Sequence, residues 1–224
     1  MLNSYRTVLF DLDGTLVDHS NAARAGVIAW SQELGIPPDP ARWQALEQQW
    51  FLAYEHGKLT HSGQRAARVR EYLHEPKLSE TAALQLFDGF LHQYIASMQP
   101  FSGAAEVLEQ CFDCGQLVGI ATNGAASLQT TKLRTTGLWD DRLIMLAAVE
   151  MEAAKPNPEF YTRALDIVGT APADTIMVGD TLPNDVLAPI AAGIAAIYID
   201  HAGTGTTDPR YPTIRDLSEL LNAP

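Results

Sequence analysis

Five short stretches of this chain are apolar almost without interruption. They are Val8-Leu9-Phe10 and the runs inside "QLVGIATNG" (116–124), "LIMLAAVE" (143–150), "TIMVGDT" (175–181) and "IAAIYID" (194–200). A strand with one wet face alternates apolar and polar residues, whereas a strand covered on both faces has no reason to. Segments with helix signals separate the runs. "SGAAEVLEQCFDCG" opens on Ser102, a good N-cap, and closes on Gly115. "AASLQTTKLRTTG" closes on Gly137 in the same way, and "PEFYTRALDIVG" begins on Pro158 and stops at Gly169. "PNDVLAPIAAG" ends at Gly193, with Pro189 expected to kink or shorten it. Strand–helix alternation of this kind predicts an α/β fold with a doubly wound, Rossmann-like parallel sheet.

Residues 19–99 break the alternation, with no strand-like run among them. Trp43, Leu46, Trp50 and Tyr54 recur at helical spacing, as do Leu84, Phe87, Leu91 and Ile95. Two further helices are expected around Ala22–Leu34 and Arg65–Leu73. The expected organisation is an α/β core from 1–17 and 100–224, with a helical insertion at 18–99. A chain of 224 residues has room for one main domain and an inserted module. "HAGTGTTDPRYP" (201–212) reads as a loop, because its Gly-Thr-Gly lacks the strand–turn–helix setting of a nucleotide fingerprint.

Composition narrows the function. A net charge of −12 is wrong for gripping a nucleic-acid polymer, which takes clustered Lys and Arg. No apolar run has the length of a membrane span. The N-terminus runs straight into a strand without a leader pattern, so a cytoplasmic protein is expected. Cys111 and Cys114 form a C-x-x-C, but no second Cys/His pair lies nearby to complete a zinc site. Cys111 reads as part of a helical stripe with Leu108 and Phe112.

In open parallel sheets, ligands bind beyond the carboxyl ends of the strands. The first run ends there in Asp11 and Asp13, two carboxylates that repel at close range and are costly to bury. A metal, a lysine or an electrophilic substrate would offset that cost. The second run ends in Thr122, Asn123 and Gly124; Lys155 and Pro156 follow the third; Gly179, Asp180, Asn184 and Asp185 follow the fourth. Clustered carboxylates suit a hard cation such as Mg²⁺, and a carboxylate can attack phosphorus covalently. The phosphoryl group would need Lys155, Thr122 and backbone N–H groups as partners.

Taken in order, "DLDGT", "TNG", "KP" and "GDTLPND" resemble the four motifs of the haloacid dehalogenase-like (HAD) hydrolase superfamily. The insertion directly after the first motif is similar to the helical cap of its C1-type members. The tail "YPTIRDLSELL" is also similar to the end of that group. The resemblance implies Asp11 as a nucleophile forming an aspartyl-phosphate. Asp13 would protonate the leaving oxygen and then activate water. Thr122 and Asn123 would bind the phosphoryl group, and Lys155 would hold the nucleophile and phosphate charges together. It implies Mg²⁺ at Asp11, Asp180, Asp185 and Asp13, the last through its backbone carbonyl. Asp13 points to phosphate esters, since halide leaves without a proton and an alkoxide does not.

The leaving group is expected to meet the cap, where the candidates are His19, Asn21, Tyr54, His56, Lys58, Arg65 and Arg68. Of these, His19, Arg65 and Arg68 are the expected substrate contacts. "YEHGKLTHSGQRAARVREYL" and "TNGAASLQTTKLRTTGL" resemble the pyrimidine 5'-nucleotidase-like branch, although His61 and Gly63 stand where that branch often carries charge. The expected reaction is Mg²⁺-dependent hydrolysis of a small phosphorylated metabolite, a nucleoside monophosphate for preference. The alternatives are a phosphomutase on a sugar phosphate, a 2-haloacid dehalogenase and a binding protein without turnover. Thr15, after Gly14, resembles hydrolases more than mutases. The sequence is silent on oligomeric state.

Overall fold

The computed structural model describes residues 1–203 and 208–221. Its centre is a six-stranded sheet: β1 (Thr7–Phe10), β2 (Leu117–Thr122), β3 (Ile144–Ala147), β4 (Thr175–Gly179), β5 (Ala195–Ile199) and β6 (Thr213–Ile214). The order is β3-β2-β1-β4-β5-β6, and every neighbouring pair is parallel. The chain divides into two compact units, Met1–Asp18 with Gln99–Pro224, and His19–Met98.

The helical unit holds α1 (His19–Glu33), α2 (Pro40–Glu55), α3 (His61–Tyr72) and α4 (Glu80–Ala96). Their starts are written in polar side chains. Asp39, Thr60 and Ser79 each accept a backbone N–H in the first turn of the helix that follows. The unit closes around aromatic rings. Trp43 lies 4.6 Å from Phe90, 5.1 Å from Tyr72 and 5.3 Å from Trp30, centre to centre. The Tyr72 hydroxyl finds a partner in Ser31 at 2.8 Å, so its burial strands no polar atom.

Around the sheet run α5 (Ala104–Asp113), α6 (Ala126–Thr135), α7 (Ala148–Met151), α8 (Pro158–Val168), α9 (Ala188–Ala191) and α10 (Ser218–Leu221). β1 has a neighbour on each side and every one of its residues is buried. That is why its sequence does not alternate. Leu9 joins Leu146, Phe160, Tyr161, Ala164 and Met177 in one core cluster. Each such large side chain contributes about 1.5–3 kcal/mol by leaving water.

The α/β class and the five strand runs stand as read, with local corrections. The 143–150 run is a strand only as far as Ala147; it then turns into α7, whose Glu150 carboxylate takes the first free N–H of α6 at Ala126. The cap position of α5 is Gly103 at φ 79°, not Ser102, and no side chain caps the helix; the backbone of Ser218 comes too close to Gly103 for a side chain there. Pro189 falls in the first turn of α9, after a π-helical turn at Leu182–Leu187. β6 is two residues long, too short for any periodic signal. On α4 the buried face is Ala83, Phe87, Phe90 and Tyr94, so Leu84, Leu91 and Ile95 are only half-buried. Trp50 and Tyr54 are half-buried too, beyond the buried Trp43 and Leu46 of α2. Cys111 is a buried free thiol on the Leu108 stripe, pushed up to about 12 by burial, and Cys114 is exposed and free. Part of the 201–212 loop, residues 204–207, lies outside the described residues. Among the described residues no helix is long and apolar enough to cross a membrane.

Candidate active site

The carboxyl ends of β1, β2 and β4 bring the candidate side chains together. Asp11 follows β1 directly, and its N–H donates to Val178 O of β4 at 2.9 Å. Asp180 follows β4, and Thr122 ends β2. Lys155 arrives from the loop between α7 and α8, almost fully buried. Its ammonium donates to Asp11 Oδ1 at 2.7 Å, Asp185 Oδ1 at 2.6 Å and Ala121 O at 2.8 Å. All three donors are therefore spent, and a buried charge is paired as physics requires. Asn123 fixes the loop from both sides. Its Oδ1 accepts from Lys155 N at 2.7 Å and its Nδ2 donates to Lys155 O at 2.8 Å. The amide of Asn123 thus holds the lysine.

Two glycines make room. Gly14 has φ +91°, and a Cβ there would sit 2.2 Å from Asp180 Oδ2. A Cβ on Gly179 would sit 2.4 Å from the Asp185 side chain. The carboxylates of Asp11, Asp180 and Asp185 offer oxygens within 4.8 Å of one another. Burial drives Asp11 well above the ordinary carboxylate range; Lys155 pulls it down, and Asp185 and Asp180 push it up again. Burial, followed by repulsion from Asp185, lifts Asp180 to about 6. For Lys155, burial works against the charge, but Asp11 and Asp185 outweigh it and leave the ammonium above the usual lysine range. Three carboxylates against one lysine leave an excess of negative charge. Hard oxygen donors in that number fit a divalent cation, with Asp11, Asp180 and Asp185 as the residues that would hold it. The Asp13 side chain is not part of this group. It turns to Lys132, whose ammonium lies 2.6 Å from each carboxylate oxygen.

Residues 5–193 match the haloacid dehalogenase-like hydrolase family. The chain belongs to that family. Among its relatives, the ribulose-1,5-bisphosphate 5-phosphatase of Halopiger xanaduensis is 28% identical over 86% of this chain and 84% of that protein. The pyrimidine 5'-nucleotidase YjjG of Escherichia coli is 27% identical over 70% of this chain and 69% of its own. The fold is shared with the Bacillus subtilis HAD-hydrolase YfnB, solved bound to magnesium, at a TM-score of 0.84 and 23% identity over 96% of each chain.

In this HAD hydrolase the helical unit gathers a second polar group. His19 meets the Tyr94 hydroxyl at 2.7 Å through Nδ1 and Glu47 at 3.1 Å through Nε2. Arg68, almost fully buried, pairs with Glu47 at 2.8 Å and lies over Trp43, 4.5 Å from the ring centre. Arg65 lies over Phe87 at 5.2 Å, its guanidinium pushed down by burial and then by the like charge of Arg68. Asn21, His56 and Lys58 are exposed, and Tyr54 packs on the His61 ring at 5.4 Å. The "GKLT" turn has a structural job: Gly57 takes φ +69° and Thr60 Oγ1 accepts Gly63 N at 2.9 Å to start α3.

Two buried polar residues of α6, Gln129 and Lys132, were missed by the sequence reading. Gln129 Nε2 reaches Thr122 Oγ1 at 2.5 Å and Asp13 Oδ2 at 3.0 Å. The available signal was their spacing, i and i+3, next to the core residue Leu133. Thr122 Oγ1 also accepts Gly124 N at 3.1 Å. With two N–H groups donating to it, the hydroxyl has its own proton to give elsewhere.

Proposed function

We propose that this enzyme is a Mg²⁺-dependent phosphomonoester hydrolase that acts on small phosphorylated metabolites through an aspartyl-phosphate, with nucleoside monophosphates as the first substrate class. The reading is carried by the meeting of Asp11 with Lys155, Asp180 and Asp185 at the strand ends. Bound Mg²⁺ supplies positive charge against the phosphoryl oxygens.

The rest is done by the chain. An oxygen of Asp11 attacks phosphorus as the bond to the leaving oxygen breaks, and that oxygen takes a proton from Asp13. Asp13 then takes a proton from water, which attacks the same phosphorus; inorganic phosphate leaves and Asp11 is restored. Thr122 donates its hydroxyl proton to a phosphoryl oxygen, and Lys155 keeps the nucleophile aimed. Asp13 argues against halide as leaving group, since expulsion of halide consumes no proton. The nucleotide preference draws on the kinship with YjjG. In this reading, 1–17 with 100–224 is the catalytic core, and 18–99 is the cap that contributes His19, Arg65 and Arg68 to the substrate.

The test is phosphate release from p-nitrophenyl phosphate and a panel of nucleoside and sugar monophosphates, with Mg²⁺ and with EDTA. Turnover that requires Mg²⁺ and ranks nucleoside monophosphates first is expected. Turnover indifferent to the chelator, isomerisation without phosphate release, or chloride release from 2-chloropropionate in place of ester cleavage would overturn it.

A further inference from the structure

Nothing in the mechanism above uses Lys132, yet it is 3% exposed and its ammonium grips both oxygens of Asp13 at 2.6 Å. Burying a lysine is costly, and a helix on the sheet surface has open positions for one. Gln129, one turn earlier and 1% exposed, donates from a single amide nitrogen to Asp13 and to Thr122. Its orientation is fixed, because reversing the amide would set its oxygen against the Asp13 carboxylate. That orientation leaves Gln129 Oε1 buried without a hydrogen-bond partner in the structure, which costs stability.

We propose that Gln129 and Lys132 are positioning residues for the acid–base step, locking the Asp13 carboxylate and the Thr122 hydroxyl into one register so that the departing oxygen meets its proton donor in line. The inference rests on the hydrolase reading. As a carboxylate, Asp13 is held by two contacts from Lys132 and one from Gln129. When it carries the proton for the leaving oxygen on Oδ1, the Lys132 contact there gives way, and Lys132 and Gln129 on Oδ2 still keep the side chain from rotating. The Gln129 nitrogen, shared with Thr122, ties the donor for the leaving group to the donor for the phosphoryl oxygen. Placement of reacting groups to within a fraction of an ångström is worth large factors in rate.

A merely structural tie between α6 and the loop after β1 would slow every substrate alike. Proton delivery matters only where the leaving group needs a proton. The experiment is single-turnover release of the leaving alcohol, with enzyme in excess and Mg²⁺ present, from p-nitrophenyl phosphate and from benzyl phosphate. p-Nitrophenolate departs without a proton and benzyl alkoxide does not. Lys132→Met is expected to slow benzyl alcohol release about 10²-fold, a share of what a placed acid contributes, and p-nitrophenolate release far less. Lys132→Arg is expected to restore most of the benzyl rate. Gln129→Leu reports the same ratio should Lys132→Met fail to fold, which melting curves decide. Equal slowing of both esters, or no slowing of either, overturns the inference while the hydrolase reading stands. An unaltered enzyme that cleaves neither these esters nor any nucleoside or sugar monophosphate overturns both.

Discussion

The strand-end site and the helical unit bury charge in opposite ways. At the strand ends three carboxylates share one lysine, and the imbalance is negative. In the helical unit one carboxylate, Glu47, answers to Arg68 and His19, and aromatic faces supply the remaining company for Arg68. The first arrangement calls for a cation. The second is balanced by ion pairing and by ring quadrupoles, which attract a guanidinium without any further charge. On the proposed reading, burial of charge serves chemistry at the strand ends, and in the helical unit it packs the aromatic core as well as supplying the substrate contacts. Substitutions should separate the two, one set touching rate and the other stability.

The largest expected effect is on rate. Asp11→Asn should lower kcat by about 10⁴-fold or more, the scale on which removal of a nucleophile acts. Circular dichroism should show the fold intact, since the change also relieves repulsion among the carboxylates. A fully active variant would break the comparison at its first term. Next comes a stability effect. Trp43→Ala empties the centre of the aromatic cluster and should cost about 3–5 kcal/mol in denaturant unfolding. A loss below about 1 kcal/mol would mean that the rings are not what holds that unit together.

A third change sharpens the electrostatic side. Asp185→Asn should weaken Mg²⁺ binding in calorimetry by about 10–100-fold, the scale seen for residues that support a metal. Mg²⁺ at 100 times its Kd should stabilise the unaltered protein by about 2.7 kcal/mol, and the variant correspondingly less at the same concentration. Mg²⁺ binding unchanged by the substitution would move Asp185 from metal support to lysine support alone. The smallest effect is local. Thr60→Ala removes the cap of α3 and should cost about 1 kcal/mol by thermal melting. No change would mean that the turn before α3 is held by Gly57 alone.

What the sequence made legible follows the same division. Strands buried on both faces cannot hide: the Val8-Leu9-Phe10 run and its four companions gave the α/β class and the parallel sheet. The groups at their carboxyl ends follow from the sheet rule, and Asp11, Thr122, Lys155, Asp180 and Asp185 do stand there. Helical faces were harder. Apolar side chains on α4 cover more than half its circumference, so period alone could not choose between Leu84 and Ala83, or between Leu91 and Phe90. Gln129 and Lys132 were invisible for another reason: a polar residue on a helix is usually wet, and only tertiary contact reveals one that is not. β6 escaped because two residues have no period.

The backbone of Asp11, the proposed nucleophile, carries a last consequence. Asp11 follows the strand with partners on both flanks, and its N–H is bonded across to Val178. That amide should give up its hydrogen to deuterated water only when the whole sheet opens. The slowest-exchanging protons in the molecule should therefore lie in and just after β1, and their exchange rate would read the global unfolding free energy from within Asp11 itself.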